Sequence, residues 1–357
     1  MLRTSRSRWA WLLLVPLLAT AAACGSDEGD ADEGDSGSGS ESEGESTESE
    51  GSGEAITLGY SAWPGWFVWK VTEEAGIFEE VGLDVELTFF ADYLTSLEAM
   101  ASGEIDANSQ TLNDTLVSVS ADSEQTIVVV NDNSAGNDAI IVDESIQSIA
   151  DLEGKTIAAE QGVVDHFLLL QGLAEEGLTE DDIDFRPALT ADAATGFADG
   201  EFDAVGVFAP FTLTALERPG SHVLFDSSDH PGTIPDHLVV SPELIEDRPE
   251  DVQLLVDAWY ATLDYIEENP DEARAIMADD ASISPEEYAE LEAGTNLFTA
   301  EEALAAFEGE EAPEGLTPMA EQISEFLVEA GLAEEAPSLD GLFDPSFTAD
   351  YIERDGA

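Results

Sequence analysis

Ser61-Ala62-Trp63-Pro64-Gly65-Trp66 is the stretch from which the fold can be read. It follows Ile56-Thr57-Leu58-Gly59-Tyr60, which alternates apolar and polar residues as a strand does, and it precedes residues 67–78, whose apolar spacing suits a helix. A strand that ends in a turn and then a helix places that turn at the carboxyl edge of an α/β sheet, where such folds take their ligands. Trp63, Pro64 and Trp66 there form either the aromatic wall of a pocket or a plug for the sheet edge. Indoles carry a polar handle on an apolar body, which is typical pocket lining.

The alternation continues outward from this turn. Residues 83–90 read as a second strand, 93–102 as a helix, 105–108 as a short third strand leading into a helix that runs to about 120, and 126–130 as a buried strand. Gln110, Thr111 and Asn113 fall at the next carboxyl edge, where short polar side chains cap a helix, contact a ligand, or do both. Asn, Ser and Gly break the pattern over 131–137. It then restarts: strands at 138–142, 155–160, 183–187, 203–208 and 222–225, and helices at 162–176 and 191–199. Residues 233–240 are extended, and from Pro242 onward the chain is nearly all helical. The expectation is an α/β protein of two lobes, each a mostly parallel sheet flanked by helices. Residues 55–136 with 239–355 make one lobe and 137–238 the other, joined by crossings near 136–139 and 234–238.

Of 357 residues, Lys and Arg supply 10 and Asp and Glu 80, a formal charge of −70. So acidic a chain is not built for nucleic acid or anionic membranes. Hydrophobic residues at 43% and aromatics at 8% nevertheless indicate a folded protein, and the length suggests about two domains. Arg3, Arg6 and Arg8, the apolar run 9–19 and Ala21-Ala22-Ala23 read as an export signal over residues 1–23. The run is too short to span a bilayer. Cys24 is the single cysteine, so no disulfide forms within the chain, and its place after the alanines suits lipidation. Residues 25–54 are nearly all Gly, Ser, Asp and Glu. They cannot bury a core, and about 30 such residues span roughly 30 Å as a tether.

An ordered set of segments resembles a known family. The lipobox-like run before Cys24, the Trp63-Pro64-Gly65-Trp66 turn, Ser148-Ile149-Ala150-Asp151-Leu152-Glu153-Gly154-Lys155, Gly200-Glu201-Phe202-Asp203-Ala204 and Asp344-Pro345-Ser346-Phe347 are its elements. Together they resemble substrate-binding lipoproteins of ABC importers, of the nitrate, sulfonate and taurine type with the periplasmic-binding-protein type 2 fold. Leucine is usual in the family where Ala21 stands. Residues 60–69, Ser134-Ala135-Gly136-Asn137-Asp138, Gly162-Val163-Val164-Asp165-His166 and Gly294-Thr295 look like the subgroup associated with urea carboxylase and guanidine use. The resemblance implies a lipid-anchored extracytoplasmic receptor, monomeric, that hands a small molecule to an ABC permease and its ATPase.

The residues themselves bear on which small molecule. Gln161, Gly162, Val163, Asp165 and His166 open a helix at the cleft, where the anion-binding relatives place a Ser or Thr to help backbone N–H groups hold an oxyanion. Here a carboxylate stands there instead, although an Asp in a first helical turn also complements the helix dipole by about 0.3–1 kcal/mol. Asp138 and Asp236 each fall in a crossing, at the expected cleft floor, and an unpaired buried carboxylate demands a cation or several donors. Lys70, Lys155 and five arginines are the cations after the signal, and no pattern places one in the cleft. A ligand rich in N–H groups or positively charged would satisfy the carboxylates, with cation–π support of about 0.5–2 kcal/mol from Trp63 and Trp66. Ser61, Asn113 and Asn137 are candidate hydrogen-bonding partners, and Phe208 a candidate opposite wall. Nitrate, sulfonate or taurine, and a pyrimidine precursor remain alternative ligands.

Catalysis fits less well. Gly154-Lys155-Thr156 lacks the earlier glycine of a phosphate loop, since Ile149 stands there. His166, His222, His230 and His237 lack recognised metal-ligand spacing, and no Gly-x-Ser-x-Gly turn occurs. The expectation is therefore a non-enzyme with no metal and no cofactor. A surface lipoprotein without a transport role would account for the tether and not for the doubled α/β pattern.

Overall fold

The computed structural model describes residues 51–355, with 312 and 314 excepted. The expected signal peptide, Cys24 and the tether as far as residue 50 lie outside the described residues. The end of the expected tether is tied down: Ser52 donates from its N–H and its hydroxyl to Asp251, and Arg248 donates to the Glu54 carbonyl.

Eleven strands are described: β1 Ile56–Ser61, β2 Val85–Phe90, β3 Ala107–Thr111, β4 Thr126–Ser134, β5 Asp138–Val142, β6 Thr156–Ala159, β7 Asp184–Pro187, β8 Ala204–Phe208, β9 His222–Asp226, β10 Pro235–Val240 and β11 Thr295–Leu297. They form a six-stranded sheet, β11-β4-β10-β3-β1-β2, and a five-stranded sheet, β7-β6-β8-β5-β9. β1 runs parallel to β2 and β3, and β6 to β7 and β8; β10, β5 and their remaining partners pair antiparallel. Each sheet is therefore mixed where a mostly parallel one was expected. The strands that carry the chain from one sheet to the other enter against the direction of the βαβ units. β10 lies wholly in the first sheet, so the expected division at 238 falls inside a strand and first-sheet structure resumes at Pro235.

The expected helix over 67–78 is two, Val68–Glu74 and Ile77–Glu80, broken by Gly76 at φ 78°. That left-handed conformation is open to glycine at little cost. In the helical C-terminal part, Pro242, Pro249, Pro270 and Pro285 each sit in the first turn of a helix, where the missing N–H costs nothing. Ser284 and Thr299 close capping boxes with Glu287 and Glu302.

Packing fixes the turn after β1. Trp69 is fully buried, 4.8 Å from Trp259 and stacked on Phe78 between ring centres, and its indole N–H donates to Ser109. The helix that follows Trp66 is thereby pinned to the long helix Pro249–Glu268. One face of the second sheet packs Ala139, Ile141, Ala158, Val205 and Val207 against Ala193, Ala194 and Phe197 of the helix Thr190–Ala198. Small side chains there let helix and sheet approach closely, while the longer apolar residues of β4 and β10 fill the first core.

Candidate functional site

Strand ends from both sheets meet around one small cavity, the carboxyl ends of β1, β3 and β8 and the amino ends of the antiparallel β5 and β10. The turn after β1 supplies Ala62, Trp63 and Trp66, β3 supplies Thr111, β5 Asp138, β8 Phe208 and β10 Asp236, with Tyr93 and Val164 from the first turns of two helices. The cavity volume is about 10 Å³, far below the 300–1,000 Å³ of common ligand pockets, so even a ligand of few heavy atoms enters only when the walls move apart. A continuous aromatic wall runs from sheet to sheet: ring centres are 6.4 Å apart for Trp63 and Trp66, 5.2 Å for Trp66 and Tyr93, and 6.2 Å for Tyr93 and Phe208.

The floor is acidic and buried. Strand register puts Asp236 of β10 directly opposite Thr111 on one side and Asp132 of β4 on the other. Like charges in such a cross-strand pair are destabilising. Asp132 accepts from the Trp63 indole N–H at 2.9 Å, and Gly65 comes so close that a Cβ there would lie 2.0 Å from the Asp132 carboxylate. Asp132, Asp138, Asp165 and Asp236 are 0–1% exposed, and both oxygens of Asp165 and of Asp236 meet no donor among the described residues. Burial pushes the Asp114, Asp132 and Asp138 carboxyls up to about 7. It also raises Asp165 and Asp236 well above the ordinary carboxylate range, helped by the charge of Asp138 on the first and of Asp132 on the second. No cation among the described residues relieves them. Lys70, Arg186, Arg218, Arg248, Arg274 and Arg354 pair with Glu73, Asp184, Asp143, Asp251, Glu292 and Asp257 away from the cavity, and Lys155 acts on Asp143 and Asp151.

Of the residues expected in the site, Trp63, Trp66, Thr111, Asp138, Phe208 and Asp236 line the cavity. Ser61 lies in an adjoining recess, 1% exposed with its hydroxyl unpartnered. Asp165 is fully buried and unpartnered and is not among the lining residues; the others are employed elsewhere. Gln110 bonds Thr115 and Gln125 inside the first sheet's core, because it faces the opposite side of β3 from Thr111. Asn113 donates to Asp114, which also accepts from Thr111. Asn137 is spent on the Leu291 carbonyl at 2.7 Å and the Thr295 hydroxyl at 2.8 Å. The Pro64 carbonyl accepts from Tyr288. Gln161 and His166 face a separate outer groove, where His166 bonds Glu180 at 2.6 Å and stacks on Phe185; Gly162 faces another. Val163 is core, and its neighbour Val164 is the one that lines the cavity.

Besides Ala62 and Val164 of the lining, three residues escape the sequence reading. Asp132 does so because Asn131-Asp132-Asn133-Ser134 has the composition of a turn, yet β4 continues through it. Tyr93 reads only as the start of a helix; its ring lies between Trp66 and Phe208, and its hydroxyl oxygen accepts from the Thr111 N–H at 2.9 Å. Glu160 accepts from Thr190 of its own half and from the Leu94 N–H across the cleft. Its signal in the sequence is a lone acid immediately after a buried strand.

Two mixed α/β sheets whose strand ends enclose a small cavity are the fold of periplasmic binding proteins, as in the aliphatic sulphonate binding protein SsuA of Escherichia coli. That structure superposes with a TM-score of 0.68 at 22% identity, over 82% of this chain and 93% of that one. The chain belongs to the NMT1/THI5-like family, whose model matches residues 68–273. A Brucella abortus protein named only for binding is 27% identical over 229 residues, 62% of this chain and 70% of the relative. An Escherichia coli protein named for binding aliphatic sulfonates is 33% identical over 135 residues, 37% of this chain and 42% of the relative. The fold also occurs in the desulfurization enzyme DSZB, at 19% identity and a TM-score of 0.60 over 84% of this chain and 99% of that one.

Proposed function

We propose that this protein is the extracytoplasmic solute-binding component of an ABC importer, held at the membrane by an acylated Cys24, which captures a small N–H-rich or cationic molecule and delivers it to a permease. The observation that carries the ligand class is the cavity floor: Asp138 and Asp236 line it, with Asp132 behind, while every Lys and Arg from residue 51 onward is engaged elsewhere. An anion finds no cation there, whereas a planar cation donates to carboxylates at its edge and takes an indole on its face. The two lobes, residues 55–136 with the chain after β9 in one and the second sheet in the other, close by hinge motion about the two crossings. Closure follows only from a ligand that binds the closed state better. The role is capture and release as a monomer, without covalent chemistry.

A second reading, an aliphatic sulfonate as ligand, is favoured by the 33%-identical Escherichia coli relative and by two unpartnered donors beside the cavity, Trp66 Nε1 and Ser61 Oγ. Titration calorimetry with guanidinium, urea, nitrate and taurine separates the two. The cationic reading expects heat from guanidinium, and Asp138→Asn to weaken that binding more than tenfold, about 1.4 kcal/mol or more. Tight binding of taurine with no heat from guanidinium would overturn the ligand and leave the transport role standing.

A further inference from the structure

The cross-strand pair Asp132–Asp236 has a feature that a plain electrostatic trap does not need. The two stand directly opposite each other on neighbouring strands, both fully buried, and neither Asp236 oxygen, nor Asp132 Oδ2, meets an N–H or O–H donor among the described residues. Two carboxylates are acceptors only and repel each other in such a site, so a proton on one of them is what lets the pair sit together. Trp66 independently marks the spot as a ligand site. It is 3% exposed, lines the same cavity, and its indole N–H is unpartnered.

We infer that Asp132 and Asp236 share one proton in the ligand-free protein and that a cation entering the cavity expels it to solvent, so that capture is an exchange of cation for proton. This rests on the cationic reading above. Asp132 does not line the cavity; it is a positioning residue that acts through Asp236 on one side and the Trp63 indole on the other. The groups that face the pair are themselves acids or phenols: Asp138 of β5, Asp114 after β3, Tyr93, and Tyr288 of the helix Pro285–Glu292, with Asp165 and Glu160 acting on Asp138 and Asp114. His237, next to Asp236, is fully buried and bonds Thr115. None supplies a positive charge. Burial holds the pair's carboxyls above their ordinary range, so the proton is present at neutral pH and leaves only when the cation substitutes for it. Affinity therefore falls as the medium becomes more acid, by as much as tenfold per pH unit for each proton exchanged.

Two measurements test this. Guanidinium chloride is titrated calorimetrically into the wild type in phosphate and in Tris, buffers of different ionisation heat, at several values between pH 5.5 and 8. Separately, the infrared stretch of protonated carboxyl groups is recorded for the ligand-free protein at neutral pH. The expected results are at least one proton released per guanidinium bound, and a carboxyl band that weakens in Asp132→Asn, with about one fewer proton released in that variant. Asp236→Asn serves where Asp132→Asn does not fold. Guanidinium binding with the same heat in both buffers would overturn the exchange alone. No guanidinium binding would overturn the exchange together with the ligand reading. A carboxyl band absent from the wild type, or unchanged in both variants, would overturn the shared proton.

Discussion

At the scale of single residues, the buried acids set how stability depends on pH. Burial pushes the Asp114, Asp132 and Asp138 carboxyls up to about 7 and holds Asp165 and Asp236 well above the ordinary carboxylate range. A carboxyl raised in the folded state keeps its proton there while the unfolded chain gives it up, so stability declines as pH rises from about 4 toward 7 and beyond. His237, lowered by burial to about 3, and His166, also lowered, act in the opposite sense: they favour the unfolded chain as pH falls below about 6.5. Five acids oppose two histidines, so the ligand-free protein is expected to melt at a lower temperature at pH 8 than at pH 6. Asp138→Asn should raise the melting temperature at pH 8 and flatten the profile by up to about 1.4 kcal/mol per pH unit. A wild-type melting temperature that climbs from pH 6 to 8 would contradict the assignment. Stability given up at a cleft floor is a common sign of a ligand site. Asp138 and Asp236 were legible because each stands at a junction between patterns. Asp132 was not, since its neighbours Asn131, Asn133 and Ser134 have turn chemistry and are held extended only by tertiary pairing with β10 and β11.

At the scale of elements, the sequence pattern located most strands and helices and misjudged what joins them. β1, β5 and the helix Tyr93–Ser102 lie where alternation and spacing place them. β4 runs four residues beyond its apolar stretch, and β11 is invisible in a helical region because its three residues form a strand only by pairing with β4. The crossing from β4 to β5 shows the consequence. Asn137, expected at the ligand, instead fastens the start of β5 to the Leu291 carbonyl and the Thr295 hydroxyl. Gly294 lies against it so closely that a Cβ would be 2.5 Å from Asn137 Oδ1. Asn137→Ala removes two buried hydrogen bonds, to the Leu291 carbonyl and the Thr295 hydroxyl, and is expected to cost roughly 1–3 kcal/mol, read as a lower urea midpoint at unchanged slope. Gly294→Ala should also destabilise, and less so in the Asn137→Ala background, where the clashing amide is gone. A double-mutant cycle measures that coupling, and strict additivity would show that the two residues do not oppose each other.

At the scale of the whole molecule, the restart of the α/β pattern at Asp138 was sufficient to anticipate a second sheet. Its mixed pairing was not legible, because strand direction across a crossing depends on how the two sheets meet. Charge is the other property of the whole. With 80 acidic and 10 basic residues, repulsion among surface carboxylates opposes the compact state. Exposed pairs such as Lys70–Glu73 and Arg354–Asp257 are few, and each contributes at most about 1 kcal/mol. Salt weakens both effects, and the repulsion involves far more groups, so added NaCl is expected to raise the melting temperature. Screening also fixes the shape of the response. The Debye length falls from about 30 Å at 0.01 M to about 8 Å at 0.15 M and only to about 3 Å at 1 M, so most of the gain should come below roughly 0.15 M, unlike the steady rise that general salting-out produces. The same field draws a cation toward the cleft, and its association rate should fall over that range of salt. Melting curves and stopped-flow binding of guanidinium along one NaCl series test both. A melting temperature that drops as salt rises would mean that the ion pairs outweigh the repulsion, and that the acidic surface stabilises this fold by some means other than tolerance of its own charge.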